Sequence, residues 1–93
     1  MKIGPTIKDL RKKNNITQQQ LADSACLSRI YISQIENGAT PSEESLKRIC
    51  SALKIPESLI YIYSLEKEDV TEEKRVLYDK LFPIIQSLIG ELI

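Results

Sequence analysis

Residues 17–38 read TQQQLADSACLSRIYISQIENG, two short capped helices separated by a turn of about three residues. Helices joined so tightly must cross steeply, the geometry that carries a second helix into a DNA groove. Thr17 with Gln20 has the form of a capping box, in which the hydroxyl takes a backbone amide and the Gln side chain reaches back. Leu21 and Ala22 give that helix an apolar edge. Ser28 can cap the second helix, on which Ile32 and Ile35 share a face flanked by Tyr31, and Asn37-Gly38 supplies a left-handed stop. Leu27 lies in the turn as a plug between the helices. Ser28, Arg29, Ile30, Ser33, Gln34 and Asn37 remain on the open side, mostly hydrogen-bonding side chains suited to base edges and phosphates.

Working outward, residues 6–14 form a first helix with Ile7 and Leu10 inward, and Asn15 tolerates a left-handed stop. After the loop ATPS, Ser42 caps a fourth helix carrying Leu46, Ile49, Cys50 and Leu53 at helical spacing, with Glu43 and Glu44 complementing its dipole. Pro56 opens a fifth at its first helical position, where proline loses no hydrogen bond. Leu59, Ile60 and Ile62 or Tyr63 close the core. The charged segment EKEDVTEE reads as a linker into a sixth helix from Glu72 onward. There Leu77, Leu81, Ile84 and Leu88 follow four-three-four spacing, beside a second stripe of Tyr78, Ile85, Ile89 and Leu92. Both stripes together are too wide for one buried face, so a homodimer through Leu77, Leu81, Ile84, Ile85, Leu88, Ile89 and Leu92 is the simplest expectation. Pro83 predicts a kink or break near residue 82.

The chain has 93 residues and 42% apolar content, enough for one small domain with an appendage. Thirteen basic and thirteen acidic residues cancel overall. They are segregated, however: residues 1–55 carry nine basic against five acidic side chains, and residues 56–93 carry four against eight. Lys2, Lys8, Lys12, Lys13 and Lys47 can contribute to a phosphate-facing field. No signal-peptide core precedes the first helix, and LFPIIQSLIGELI is too short and interrupted to span a bilayer, so a cytoplasmic protein without membrane attachment is expected. With no histidine and no CxxC spacing, Cys26 and Cys50 are read as reduced and structural, and no metal site or cofactor is expected. Nothing in the chain suggests an enzyme or a small-molecule ligand, since no phosphate-cradling glycine loop or spaced ligand set appears.

Three stretches, IKDLRKKNNITQQQLA, LSRIYISQIENGATPS and LKRICSALKI, together resemble the Cro/C1-type, or Xre, helix-turn-helix family from Ile7 to about Ile60. Small Ala22, apolar Ile32 and Ile35, and the ENG-x-x-PS tail occur together at the family's spacing. The resemblance implies a five-helix lambda-repressor-like DNA-binding domain, taken as residues 1–65; with the linker and C-terminal dimerisation helix read over 66–93 from the charged segment and the apolar stripes, the expected fold is all-α. It implies that Gln18, and less strongly Gln19, touches a phosphate or braces the recognition helix. Arg29 would read guanine or hold a phosphate, Gln34 would pair with adenine, and Ser33 would meet a phosphate or base edge. Ile30 would contact a thymine methyl or be partly buried. Asn37, Thr40 and Ser42 match a backbone-clamping loop. Arg11 and Glu36 match an ion pair inside the domain. Cys26 departs from the family's glycine, so it must accept a strained conformation or shift the turn. The implied function is a sequence-specific double-stranded-DNA-binding transcriptional regulator, a homodimer on a near-palindromic operator. The alternative is an antitoxin-like module whose C-terminal helix binds another protein.

Overall fold

The computed structural model describes residues 1–92, and every regular element among them is helical. The order is α1 (Ile3–Lys13), α2 (Gln18–Ala25), α3 (Arg29–Glu36), α4 (Glu43–Leu53), α5 (Glu57–Tyr63), two 3-10 turns (Lys67–Asp69 and Glu72–Lys74), then α6 (Arg75–Leu92). Helix α1 begins three residues before its expected start at residue 6. Gly4-Pro5 resembles a breaker, yet a proline in the first turn has no intrahelical partner to lose. The Thr6 hydroxyl donates to the Lys2 carbonyl at 2.9 Å, tying that turn together. Pro56 stands just outside α5 as its cap residue.

The core lies between α1, α2, α3, α4 and α5, where Ile7, Leu21, Ala22, Ile32, Ile35, Ile49 and Ile60 are buried. Leu27 and Tyr31 pack against its edge. Thr17 and Gln20 form the reciprocal capping box, while the Ser28 and Ser42 hydroxyls accept from the Tyr31 and Ser45 amides. Each such cap contributes about 1 kcal/mol. Burial pushes the Cys50 thiol up to about 11, aided by Glu57, whereas Cys26 is exposed.

Four helices stop in the same way. Ile16, Leu27, Ala39 and Ile55 each donate a backbone amide to the carbonyl five residues earlier, at 2.9–3.0 Å, and each follows a residue of positive φ. Those residues are Asn15 (57°), Cys26 (56°), Gly38 (115°) and Lys54 (58°). This reversal satisfies terminal carbonyls, and it turns Ile16, Leu27 and Ile55 back toward the core while Ala39 stays exposed. Cys26 therefore accepts the left-handed conformation and keeps the tight turn. A side chain there costs about 1–2 kcal/mol. Cys26→Gly is expected to raise the stability of the domain by about 1 kcal/mol, read as a higher denaturation midpoint; an unchanged or lower midpoint would count against strain at this turn.

The linker is more ordered than its charge suggests. Asp69 accepts from the Glu66 amide and from the Met1 amine, and Lys67 meets Asp79 of α6 at 3.0 Å. Helix α6 starts at Arg75, after a 3-10 turn over Glu72–Lys74, and runs unbroken through Pro83 to Leu92. A break near residue 82 is therefore absent, and the helix continues although Pro83 removes its amide bond to the preceding turn. Tyr78 stacks on Phe82 with ring centroids 4.6 Å apart and donates to the Leu65 carbonyl. Phe82 and Ile89 are buried, and Lys13 donates to the Gly90 carbonyl at 2.6 Å. Ile89 thus belongs to the inward face of α6 and not to the dimer surface expected for it, because the helix lies back along the domain. Leu77, Leu81, Ile84, Ile85, Leu88 and Leu92 stay exposed. Among the described residues no helix is long and apolar enough to cross a membrane, and no group of three or more His, Cys, Asp or Glu could hold a metal ion.

Candidate nucleic-acid interface

Helix α3 is held from beneath by apolar contact, since Ile32 and Ile35 are both 0% exposed. Gly4 of α1 lies directly on the Ile35 carbonyl, so the two backbones touch with no side chain between them. At the far end of α3, Arg11 Nε donates to Glu36 Oε2 at 2.8 Å and Nη2 donates to Oε1 at 3.0 Å. Arg11 Nη1 also reaches the Ile16 carbonyl at 2.8 Å. The two-point contact fixes the last turn of α3 in angle as well as position. Burial pushes the Glu36 carboxyl up, but hydrogen bonds from Arg11 and Gln18 and the positive charge of Arg11 and Lys8 outweigh it and hold the group below its ordinary value. The same contact holds the Arg11 guanidinium above its usual range.

Two neighbours of the ion pair connect it to the rest of the surface. Gln18 donates through Nε2 to Glu36 Oε1 at 3.1 Å, so its amide braces α3 from the start of α2. On the opposite side the Tyr31 hydroxyl accepts from the Ser42 amide at 3.3 Å, linking α3 to the start of α4. Hydrogen bonds from Ser45 and the Ser42 amide hold that phenol below its ordinary value. Tyr31 is thereby tied to the start of α4 while staying half-buried at the edge of the core.

What α3 offers outward is a shallow groove lined by Arg29, Ile30, Ser33, Gln34, Asn37 and Ala39. Arg29, Gln34 and Asn37 are exposed, Ser33 is half-buried, and Ile30 is 63% exposed, an unusual exposure for isoleucine. Ser28 is exposed, but its hydroxyl oxygen is used as the helix cap. Gln19 is exposed and donates to Asp23 at 2.8 Å across one helical turn. Thr40 is exposed in the α3–α4 loop, where residues 38–41 face Met1, Lys2, Ile3, Gly4 and Pro5 across a cleft. Lys2 and Thr40 thus line one cleft, which adjoins the α3 groove at Ala39. Gly4 is the positioning residue that the sequence conceals, because a glycine before proline reads as a turn and carries no sign of a helix passing against it.

A family model described as helix-turn-helix matches residues 7–60. The chain is 36% identical over 80 residues to an immunity repressor protein of Bacillus phage phi105, covering 85% of this chain and 53% of that protein. It is 36% identical over 66 residues to the transcriptional regulator ClgR of Mycobacterium tuberculosis, covering 70% of this chain and 59% of the regulator. An HTH-type transcriptional repressor, RghR of Bacillus subtilis, is 39% identical over 61 residues, 62% of this chain and 45% of that protein. The chain spans about half the length of these curated relatives.

Proposed function

Since the chain belongs to the helix-turn-helix family, of the Cro/C1 type, we propose that it is a transcriptional regulator that binds double-stranded DNA sequence-specifically as a homodimer on a near-palindromic operator. The observation that carries this reading is the outer face of α3, where Arg29, Ile30, Gln34 and Asn37 are exposed around half-buried Ser33 while the rest of the helix is locked from three sides. Such a helix can enter a major groove without rearranging. Arg29 and Gln34 are the base-reading candidates, because the guanidinium fork matches guanine and the carboxamide matches adenine. Ile30 would meet a thymine methyl, and Ser33 a phosphate or base edge. Gln18, Gln19, Ser28, Asn37 and Thr40 would address the sugar-phosphate backbone, with Lys2 adding charge beside Thr40. The chain is read as a binding protein rather than an enzyme, working in the cytoplasm.

The division of labour follows the charge. Residues 1–65 form the DNA-binding unit, and residues 66–93 supply the dimer contact. Two half-sites about 34 Å apart, one helical turn, would then be read together.

Selection of bound duplexes from a random library tests the reading, because it reports half-site, spacing and symmetry at once. On the selected site, Arg29→Ala and Gln34→Ala are each expected to cost about 1–3 kcal/mol of binding and to relax preference at a single position. Affinity should fall with salt at a slope of about −0.9 per phosphate neutralised. Absence of any preferred sequence at physiological salt would overturn the proposal. The exposed apolar face of α6 also suits an antitoxin-like protein whose C-terminal helix grips another protein; co-purification with an unrelated chain in place of a homodimer would favour that second reading.

A further inference from the structure

The apolar face that α6 leaves uncovered has a register of its own. Leu77, Leu81, Ile84, Leu88 and Leu92 are 54, 46, 58, 60 and 73% exposed, with Ile85 at their border at 38%. Leu77 and Leu92, Leu81 and Leu88, and Ile84 and Ile85 are each equidistant from the point midway between residues 84 and 85. A two-fold axis through that point, perpendicular to the helix, relates antiparallel helices of two copies. It brings Leu77 to the height of the partner's Leu92 and Leu81 to that of the partner's Leu88, with Ile84 and Ile85 flanking the axis, so the apolar stripe meets itself along its length, as an isologous interface requires.

Two further features agree. Lys80 and Glu91 lie on the same outer border of the stripe, are both exposed, and have no ion-pair partner among the described residues. Like borders face each other in an antiparallel pair, so Lys80 comes against the partner's Glu91. In a parallel pair they would instead meet the opposite border, which carries Tyr78 and Ile85. Leu92, the most exposed of the set, is brought opposite Leu77. That residue lines an apolar groove of about 230 Å³ together with Leu65, Val70, Leu81 and Ile85.

We propose that the occupant of this face is a second copy of the chain, with the two α6 helices antiparallel about an axis between Ile84 and Ile85, Leu92 seated in the partner's groove and Lys80 against the partner's Glu91. The proposal rests on the homodimer reading above and fixes its geometry.

Disulfide trapping in the full chain tests it, in a Cys26→Ser background that leaves only buried Cys50 among the native thiols. Leu77→Cys and Leu92→Cys chains, mixed and mildly oxidised, should form a covalent dimer, while Leu77→Cys alone should not. Fifteen residues of helix separate the two like positions by about 22 Å, whereas a disulfide requires Cα atoms within about 7 Å. A cross-link in Leu77→Cys alone would overturn the antiparallel geometry and leave the homodimer standing. Lys80→Glu and Glu91→Lys should each weaken the dimer about 3-fold, and the double reversal should restore it; failure of that rescue would overturn the charge pairing. Sedimentation of the unaltered protein as a monomer would overturn the homodimer itself.

Discussion

Replacing Arg11 with alanine is expected to destabilise the domain by about 3–5 kcal/mol, because the Glu36 carboxylate stays buried without its partner. Glu36 is 5% exposed, and Gln18 alone cannot replace a charged two-point contact. A domain of this size loses about 4–8 °C of melting midpoint per kcal/mol, so thermal unfolding followed by circular dichroism resolves the effect. The loss carries a pH signature. In the intact protein Glu36 titrates below its ordinary value of 4.5. It contributes stability that is complete above that value and is lost as pH falls through the lower, folded one. In Arg11→Ala, burial raises the carboxyl instead, so the mutant's penalty is relieved as pH falls and the group protonates. The stability gap between the two proteins should therefore be widest near neutrality and narrow as pH falls, first through the mutant's raised value and then through the lower folded value of the intact protein. Replacing both partners, Arg11→Met with Glu36→Leu, should recover much of the loss, since no charge is left buried. An unchanged midpoint in Arg11→Ala would remove the ion pair from the account of how α3 is held.

Gly4→Ala is expected to cost about 3 kcal/mol, the upper part of the range for overpacking. A Cβ at residue 4 would collide with the Ile35 carbonyl, and backbone on backbone leaves no flexible side chain to give way. The start of α1 would have to move off the end of α3, disturbing how α3 is mounted as well as the stability of the domain. Gly90→Ala provides the comparison. It lies within α6, where an added Cβ would meet nothing within 4 Å, so the same substitution should raise stability by about 0.5–1 kcal/mol through helix propensity. Opposite signs for one chemical change at two helical glycines would isolate the close approach of α1 and α3. Similar signs would refute it.

The helix-turn-helix was legible because its signals are local. Thr17 with Gln20, Ser28 and Ser42 are caps whose partners lie three residues away, and Ile32 with Ile35 show the inward face by spacing alone. Less was legible where a conformation has no dedicated residue. Lys54 ends α4 with φ 58°, a state that its side chain does not advertise. Cys26 could be flagged only as a departure, and its hydrogen bonds show how the turn is kept. In the candidate site, the exposed row on α3 followed from helical periodicity. The commitments of Gln18 to Glu36 and of Tyr31 to Ser42 span 18 and 11 residues and depend on how α2 and α4 pack.

The C-terminal helix draws the same line most sharply. Its two apolar stripes were present in the order of its residues, as was Pro83, and together they showed a helix with more apolar surface than one face can use. Which residues turn inward was settled by tertiary contact: Tyr78 stacks on Phe82 and reaches Leu65, and Ile89 is buried beside the Lys13–Gly90 contact, while Ile85 and Leu92 of the same stripe stay exposed. Amphipathic spacing is a property of a single helix and survives in the bare sequence. The choice between two comparable faces depends on surfaces contributed by distant residues, and those surfaces exist only after the other helices have packed.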